Sequence, residues 1–168
     1  MKKIAAYAGL VLLLVPVQTT LLPHLAIWDI KPDLGLVTAA LIGVLAGELD
    51  GLLVGLAIAW ILNLYSAGDL WLNLVTTGGA GLFAGLLARQ VAEITPTIVS
   101  IGLLVLSLAG GLLAAFSMKH ATITDTWWMV QFIVLPQACF DAAVGAVLFW
   151  FLEQRFAVPR FGMLDRYS

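Results

Sequence analysis

Residues 33–66 read DLGLVTAALIGVLAGELDGLLVGLAIAWILNLYS, and how this stretch is divided decides the fold. Glycines recur at Gly43, Gly47, Gly51 and Gly55, with Ala59 one step further. A four-residue step keeps small side chains on one helix face. In lipid such a face lets helix backbones approach closely, which is a main source of packing energy between membrane helices. One straight helix is too long: 34 residues at a helical rise span about 51 Å, against a hydrocarbon core of about 30 Å. Glu48 and Asp50 are the only charges between Asp33 and Asp69. The expected form is therefore a helical hairpin with a tight acidic turn at Glu48 and Asp50. One helix ends before Gly47, a second starts at Gly51, and the two pack through their small residues.

The rest of the chain supports a membrane setting. Hydrophobic residues make up 62% and charged residues 11% of the sequence, and the mean hydropathy is +1.05. A soluble domain carries about a quarter charged residues, so the composition predicts an all-α integral membrane protein. The single cysteine excludes an internal disulfide. A net charge of −2 with no basic patch argues against a nucleic-acid partner.

Six membrane-spanning helices are expected, near residues 4–22, 34–46, 51–64, 70–88, 96–117 and 127–152. They form one domain over residues 1–155, followed by a basic and aromatic cytoplasmic tail over 156–168. Pro16 predicts a bend in the first span and Pro136 one in the last. Asp33 follows Pro32 and is placed to cap the second span. Gly81 and Gly85 put a second small-residue face on the fourth. Trp28, Tyr65 and Trp71 fit interfacial anchors. Both termini on the cytoplasmic side would place Lys2, Lys3, Arg89, Arg155, Arg160 and Arg166 there, with only Lys31 and Lys119 opposite. That satisfies the positive-inside rule.

Polar residues within the spans are the candidate functional groups. Asn63 and Asn73 suit an interhelical hydrogen bond near the outer interface. Asp141 lies midway along the sixth span with no basic neighbour in sequence. Desolvation disfavours its charged form, and a neutral carboxyl would donate a hydrogen bond to another helix. A structural role and a proton- or substrate-linked one both remain open for it. Gln137, one turn earlier, is placed to join the same patch. Glu48 and Asp50 read either as a solvated turn or, with Asp33, as contacts for a partner. The sequence contains no Gly-x-Ser-x-Gly elbow, His-Glu-x-x-His pattern, paired cysteines or Walker lysine loop. No enzyme, metal site or cofactor is therefore expected.

Several short motifs occur in a telling order. Leu22-Pro23 is followed by Lys31-Pro32-Asp33-Leu34, then by Gly47-Glu48 with Gly51 and Gly55. Asn63-Leu64-Tyr65-Ser66 precedes a Gly-Asp-Leu turn. Leu135-Pro136 and Asp141 precede Gly145 and a Leu-Phe-Trp-Phe run. This order resembles the bacterial rod-shape-determining MreD family over residues 1–155. The resemblance implies a non-enzymatic scaffold subunit of the cell-elongation complex in the bacterial inner membrane. It would bind MreC, and through the complex meet MreB, RodA and a penicillin-binding transpeptidase. The family usually has an aspartate at the position of Asn63 and often an asparagine at that of Asp141, so a polar contact rather than a fixed charge is implied at both. The family is also similar in fold to the substrate-binding subunits of energy-coupling-factor transporters. That implies a second reading, a vitamin- or small-molecule-binding subunit, with Ala5 and Gly9 facing a coupling subunit and His24, Asn73, Lys119 and His120 as scattered ligand candidates.

Overall fold

The structure, a computed structural model, describes residues 2–25, 30–65, 69–117 and 123–156. Six helical segments follow one another: α1 (2–25), α2 (Leu34–Ala46), α3 (Glu48–Leu64), α4 (Leu70–Ala88), α5 (Pro96–Ser117) and α6 (123–156). No sheet occurs among the described residues. Leu70–Ala88, Pro96–Ser117 and Asp125–Gln154 are long and apolar enough to cross a bilayer, which marks a multi-pass membrane protein. Large apolar side chains, among them Leu12, Leu53, Phe83, Ile101, Phe116 and Phe151, point outward, as expected where lipid is the solvent. Trp28, the loop around Lys119 and His120, and the tail lie outside the described residues.

The hairpin turns at a different residue from the one expected. Gly47 alone breaks the helix, with a φ of 111° that side-chain-bearing residues rarely adopt. Glu48 and Asp50 belong to the first turn of α3, where negative charge faces the positive end of the helix dipole. The acidic pair thus starts the helix and does not form the turn.

The small-residue faces meet at a three-helix junction. A Cβ on Gly51 would lie 2.5 Å from Gly43 Cα in α2 and 2.6 Å from Gly81 O in α4. One on Gly55 would lie 2.6 Å from Thr77 O, and one on Gly85 would lie 2.5 Å from Glu48 Cα. The face that sequence assigns to the α2–α3 hairpin therefore also receives α4. Helix α1 packs on the other side of this unit, where Val11, Leu14 and Val15 meet Ile42, Val54 and Ile58. Helices α5 and α6 run antiparallel, with Gly111 against Val134 and Gly145 against Leu103. Phe149 joins Val99 and Leu103 in a core shared with α2 and α4.

These contacts fix the ends of the bundle. Tyr7 O–H donates to Asp50 Oδ2 at 3.0 Å, and Arg89 pairs with Glu48. The start of α1, the Gly47 turn and the end of α4 therefore share one end. The antiparallel packing of α6 on α5 brings its last turns to the same end. Asn63, Asn73 and Asp33 lie toward the other.

Candidate functional site: a polar chamber between the helices

Helix α2 has 13 residues and so measures about 20 Å, roughly 10 Å less than a bilayer core. Its first turn lies level with the middle of α5 and α6, where Ser107 and Asp141 sit. Asp33 sits there as the N-cap. Its Oδ1 accepts from Gly35 N–H at 3.0 Å and Leu36 N–H at 3.1 Å, the cap that its position after Pro32 predicts. The same oxygen accepts from Gln18 Nε2 of α1 at 3.1 Å.

Asp141 lies directly behind this cap and is 0% exposed. Asp33 N–H donates to Asp141 Oδ1 at 2.6 Å, and Ser107 Oγ donates to Oδ2 at 2.5 Å. Asp141 thus links α6 to two other helices, Oδ1 as the acceptor for a backbone N–H and Oδ2 through its hydrogen bond with the Ser107 hydroxyl of α5. The reason is local: the N–H of a residue preceding a helix has no intrahelical partner, and in a dry interior it needs an acceptor. One connected set of hydrogen bonds joins α1, α2, α5 and α6 through Gln18, Asp33, Asp141 and Ser107. Sequence analysis singled out only the two aspartates. Gln18 and Ser107 carry the same signal as Asp141, a polar side chain in an apolar span, and were legible on that ground.

Two cavities open beside this set. One, of 310 Å³, is lined by Gln18, Lys31, Asp33, Asn73 and Thr77 among others. The second, of 180 Å³, is lined by Asp33, Asn73, Ser107 and Gln137 among others. Asp33 and Asn73 border both, so the cavities form neighbouring parts of one chamber, polar around Gln18 and Asp33 and walled largely by apolar side chains such as Leu36, Leu72 and Val134 in its second part. Gln137 faces the chamber without a hydrogen bond to Asp141. Asn73 Nδ2 donates to Asn63 Oδ1 at 3.1 Å, the interhelical bond expected of that pair.

Three helices depart from α-geometry at the chamber wall. Five-residue π-helical turns occur at Val17–Leu21 in α1, Leu74–Gly78 in α4 and Val130–Val134 in α6. Each contributes lining residues: Gln18 and Thr19, Thr76 and Thr77, Ile133 and Val134. The local causes are visible. Thr19 Oγ1 and Thr76 Oγ1 each donate to the carbonyl four residues earlier at 2.8 Å, which loosens the helical ladder. Pro16 precedes the first turn, and Pro136 withholds the N–H that would have met the carbonyl of Phe132. Both prolines at which a bend was expected adjoin these turns. Single π turns inside helices concentrate at functional sites.

The remaining candidates sit elsewhere. Gly43, Gly51, Gly55, Gly81 and Gly85 form the three-helix junction, and Ala59 borders the larger cavity. Glu48 and Asp50 lie at the opposite end, engaged by Arg89 and Tyr7. His24 Nδ1 is 2.8 Å from Thr20 O on its own helix and does not line either cavity. Among the described residues no three His, Cys, Asp or Glu side chains cluster as metal ligands. Comparison of the chain with protein-family models, with curated proteins and with solved structures finds no match in any of the three.

Proposed function

We propose that the chain is a non-enzymatic scaffold subunit of the bacterial cell-elongation complex, of the MreD kind, that binds MreC within the inner membrane. In this reading MreB, RodA and the penicillin-binding transpeptidase are reached through the complex, and the fold is that of the energy-coupling-factor substrate-binding subunits. One observation carries the reading: the residues on which the resemblance rests are the joints of the bundle. Pro32-Asp33 makes the cap and the contact to Asp141. Gly47-Glu48 makes the turn and the pair with Arg89. Gly51 and Gly55 make the close crossings, and Asn63 bonds Asn73. That the positions carrying the resemblance are structural joints supports the reading. The acids read as partner contacts, Asp33, Glu48 and Asp50, are bonded within the chain, which favours helix faces and loops as the surface offered to MreC. Both termini are assigned to the cytoplasm, since Arg89 shares their end of the bundle while Lys31 lies at the other.

Co-expression with MreC from the same genome, followed by purification in mild detergent, tests this. The two proteins are expected to co-elute; elution of the chain alone would count against the scaffold role.

The polar chamber favours a second reading, a small-molecule-binding subunit of an energy-coupling-factor transporter. Such a site needs converging polar groups, and Gln18, Lys31, Asp33 and Asn73 converge. A vitamin detected by mass spectrometry in the purified protein would support it.

A further inference from the structure

A groove of 650 Å³, larger than either chamber cavity, lies between α1 and α3. Ala8 and Leu12 of α1 and Leu53 and Ala57 of α3 line it, and all four are exposed. Its lining is polar only at the Gly47 end of the bundle, where Tyr7 O–H donates to Asp50 Oδ2. Among the described residues no hydrogen bond ends on Asp50 Oδ1.

The lining selects an apolar occupant with a cationic end. A small polar ligand would meet no donor or acceptor along the groove beyond the Tyr7–Asp50 pair. A lipid tail is as apolar as the groove and gains little by entering it. A helix gains van der Waals packing where small side chains let it come close, and Ala8 and Ala57 are such side chains. Helix α1 has the matching form: it starts at Lys2-Lys3 and continues as an apolar run, with Leu12 and Leu13 pointing outward. Two copies inserted in the same orientation are related by a two-fold axis along the membrane normal, so like ends meet. We propose that the groove receives helix α1 of a second copy, and that the Lys2-Lys3 end of each copy lies against Asp50 of the other. The contact is self-complementary, because α1 is a wall of one groove and the occupant of the other. Ala8 of both copies then lies beside the axis. The inference is independent of the scaffold reading, for which co-elution with MreC is a separate readout.

The test uses the full chain in vesicles of phosphatidylethanolamine and phosphatidylglycerol at high lipid excess. Cys139 is replaced by serine, and one cysteine is introduced at Ala8 or, as a control, at Phe83 on the outward face of α4. A short bis-maleimide is expected to give a band at twice 17.9 kDa from the Ala8 position and none from the Phe83 position. Ala57→Trp fills the groove from an exposed position and is expected to remove that band. Asp50→Asn still accepts from Tyr7 and is expected to raise dimer dissociation about two- to fivefold, the scale of one lost exposed ion pair. Neutralising Lys2 and Lys3 as well should then add little. No cross-link at Ala8, as for a monomer whose groove holds only lipid, would overturn the proposal. So would equal cross-linking at Phe83, a band that Ala57→Trp leaves unchanged, or dissociation that Asp50→Asn does not move.

Discussion

Asp141 is where a single atom matters most. Asparagine has nearly the same shape. Its carbonyl oxygen can accept from Asp33 N–H while its amide donates to Ser107 Oγ. Asp141→Asn is therefore expected to keep both contacts and to change stability by no more than about 1 kcal/mol. Asp141→Leu leaves the Asp33 N–H and the Ser107 hydroxyl without an acceptor, at about 1–3 kcal/mol for each buried group. Denaturant titration in detergent micelles, followed by tryptophan fluorescence, ranks the two. Loss of function in Asp141→Asn with its stability intact would point to a proton-linked role. Sequence located Asp141 because one carboxyl in an apolar run stands out. It did not yield the partners: Asp33 lies 108 positions away, and a backbone N–H leaves no mark in a sequence.

At the level of helices, the α2–α3–α4 junction carries the architecture. Leucine at Gly55 would place its Cβ 2.6 Å from the Thr77 carbonyl oxygen, and backbone cannot yield as a flexible side chain can. Overpacking of this kind costs about 1–3 kcal/mol or more. Gly55→Leu and Gly51→Leu are each expected to abolish a monodisperse peak in size-exclusion chromatography. Gly9→Leu, where a Cβ meets nothing within 4 Å, should behave as wild type. Asp33→Ala removes the α2 cap, a loss of about 0.5–2 kcal/mol, together with the link to Gln18. It should destabilise the chain more than an exposed-surface substitution such as Gln90→Ala. The four-residue glycine step was readable because helical periodicity is strict. That the same face serves α4 as well as α2 was not, because small residues on two helices do not state which pairs meet. The acidic residues were misassigned to the turn because charge marks a helix start as readily as a loop, and only the backbone angle at Gly47 separates the two.

For the whole molecule, the number and order of helices were legible, since long apolar runs are punctuated by Pro32-Asp33, Gly47, Asp69 and Pro96. The chamber was not. Its polar groups come one at a time from different helices, and each alone reads as an isolated interhelical contact. Its space depends on π turns that the sequence marks only through threonine and proline. The bundle proposed for the membrane is even-numbered, with the Gly47 turn and the end of α4 on one side and the α3–α4 turn on the other. Single cysteines at Leu49, Tyr65 and Gln90, introduced one at a time with Cys139 replaced by serine, test it with a membrane-impermeant maleimide on intact and permeabilised cells. The Tyr65 position is expected to label in intact cells, whereas the Leu49 and Gln90 positions are expected to label only after permeabilisation. Labelling of the Leu49 and Tyr65 positions from the same side would contradict it, because α3 would then not cross the membrane.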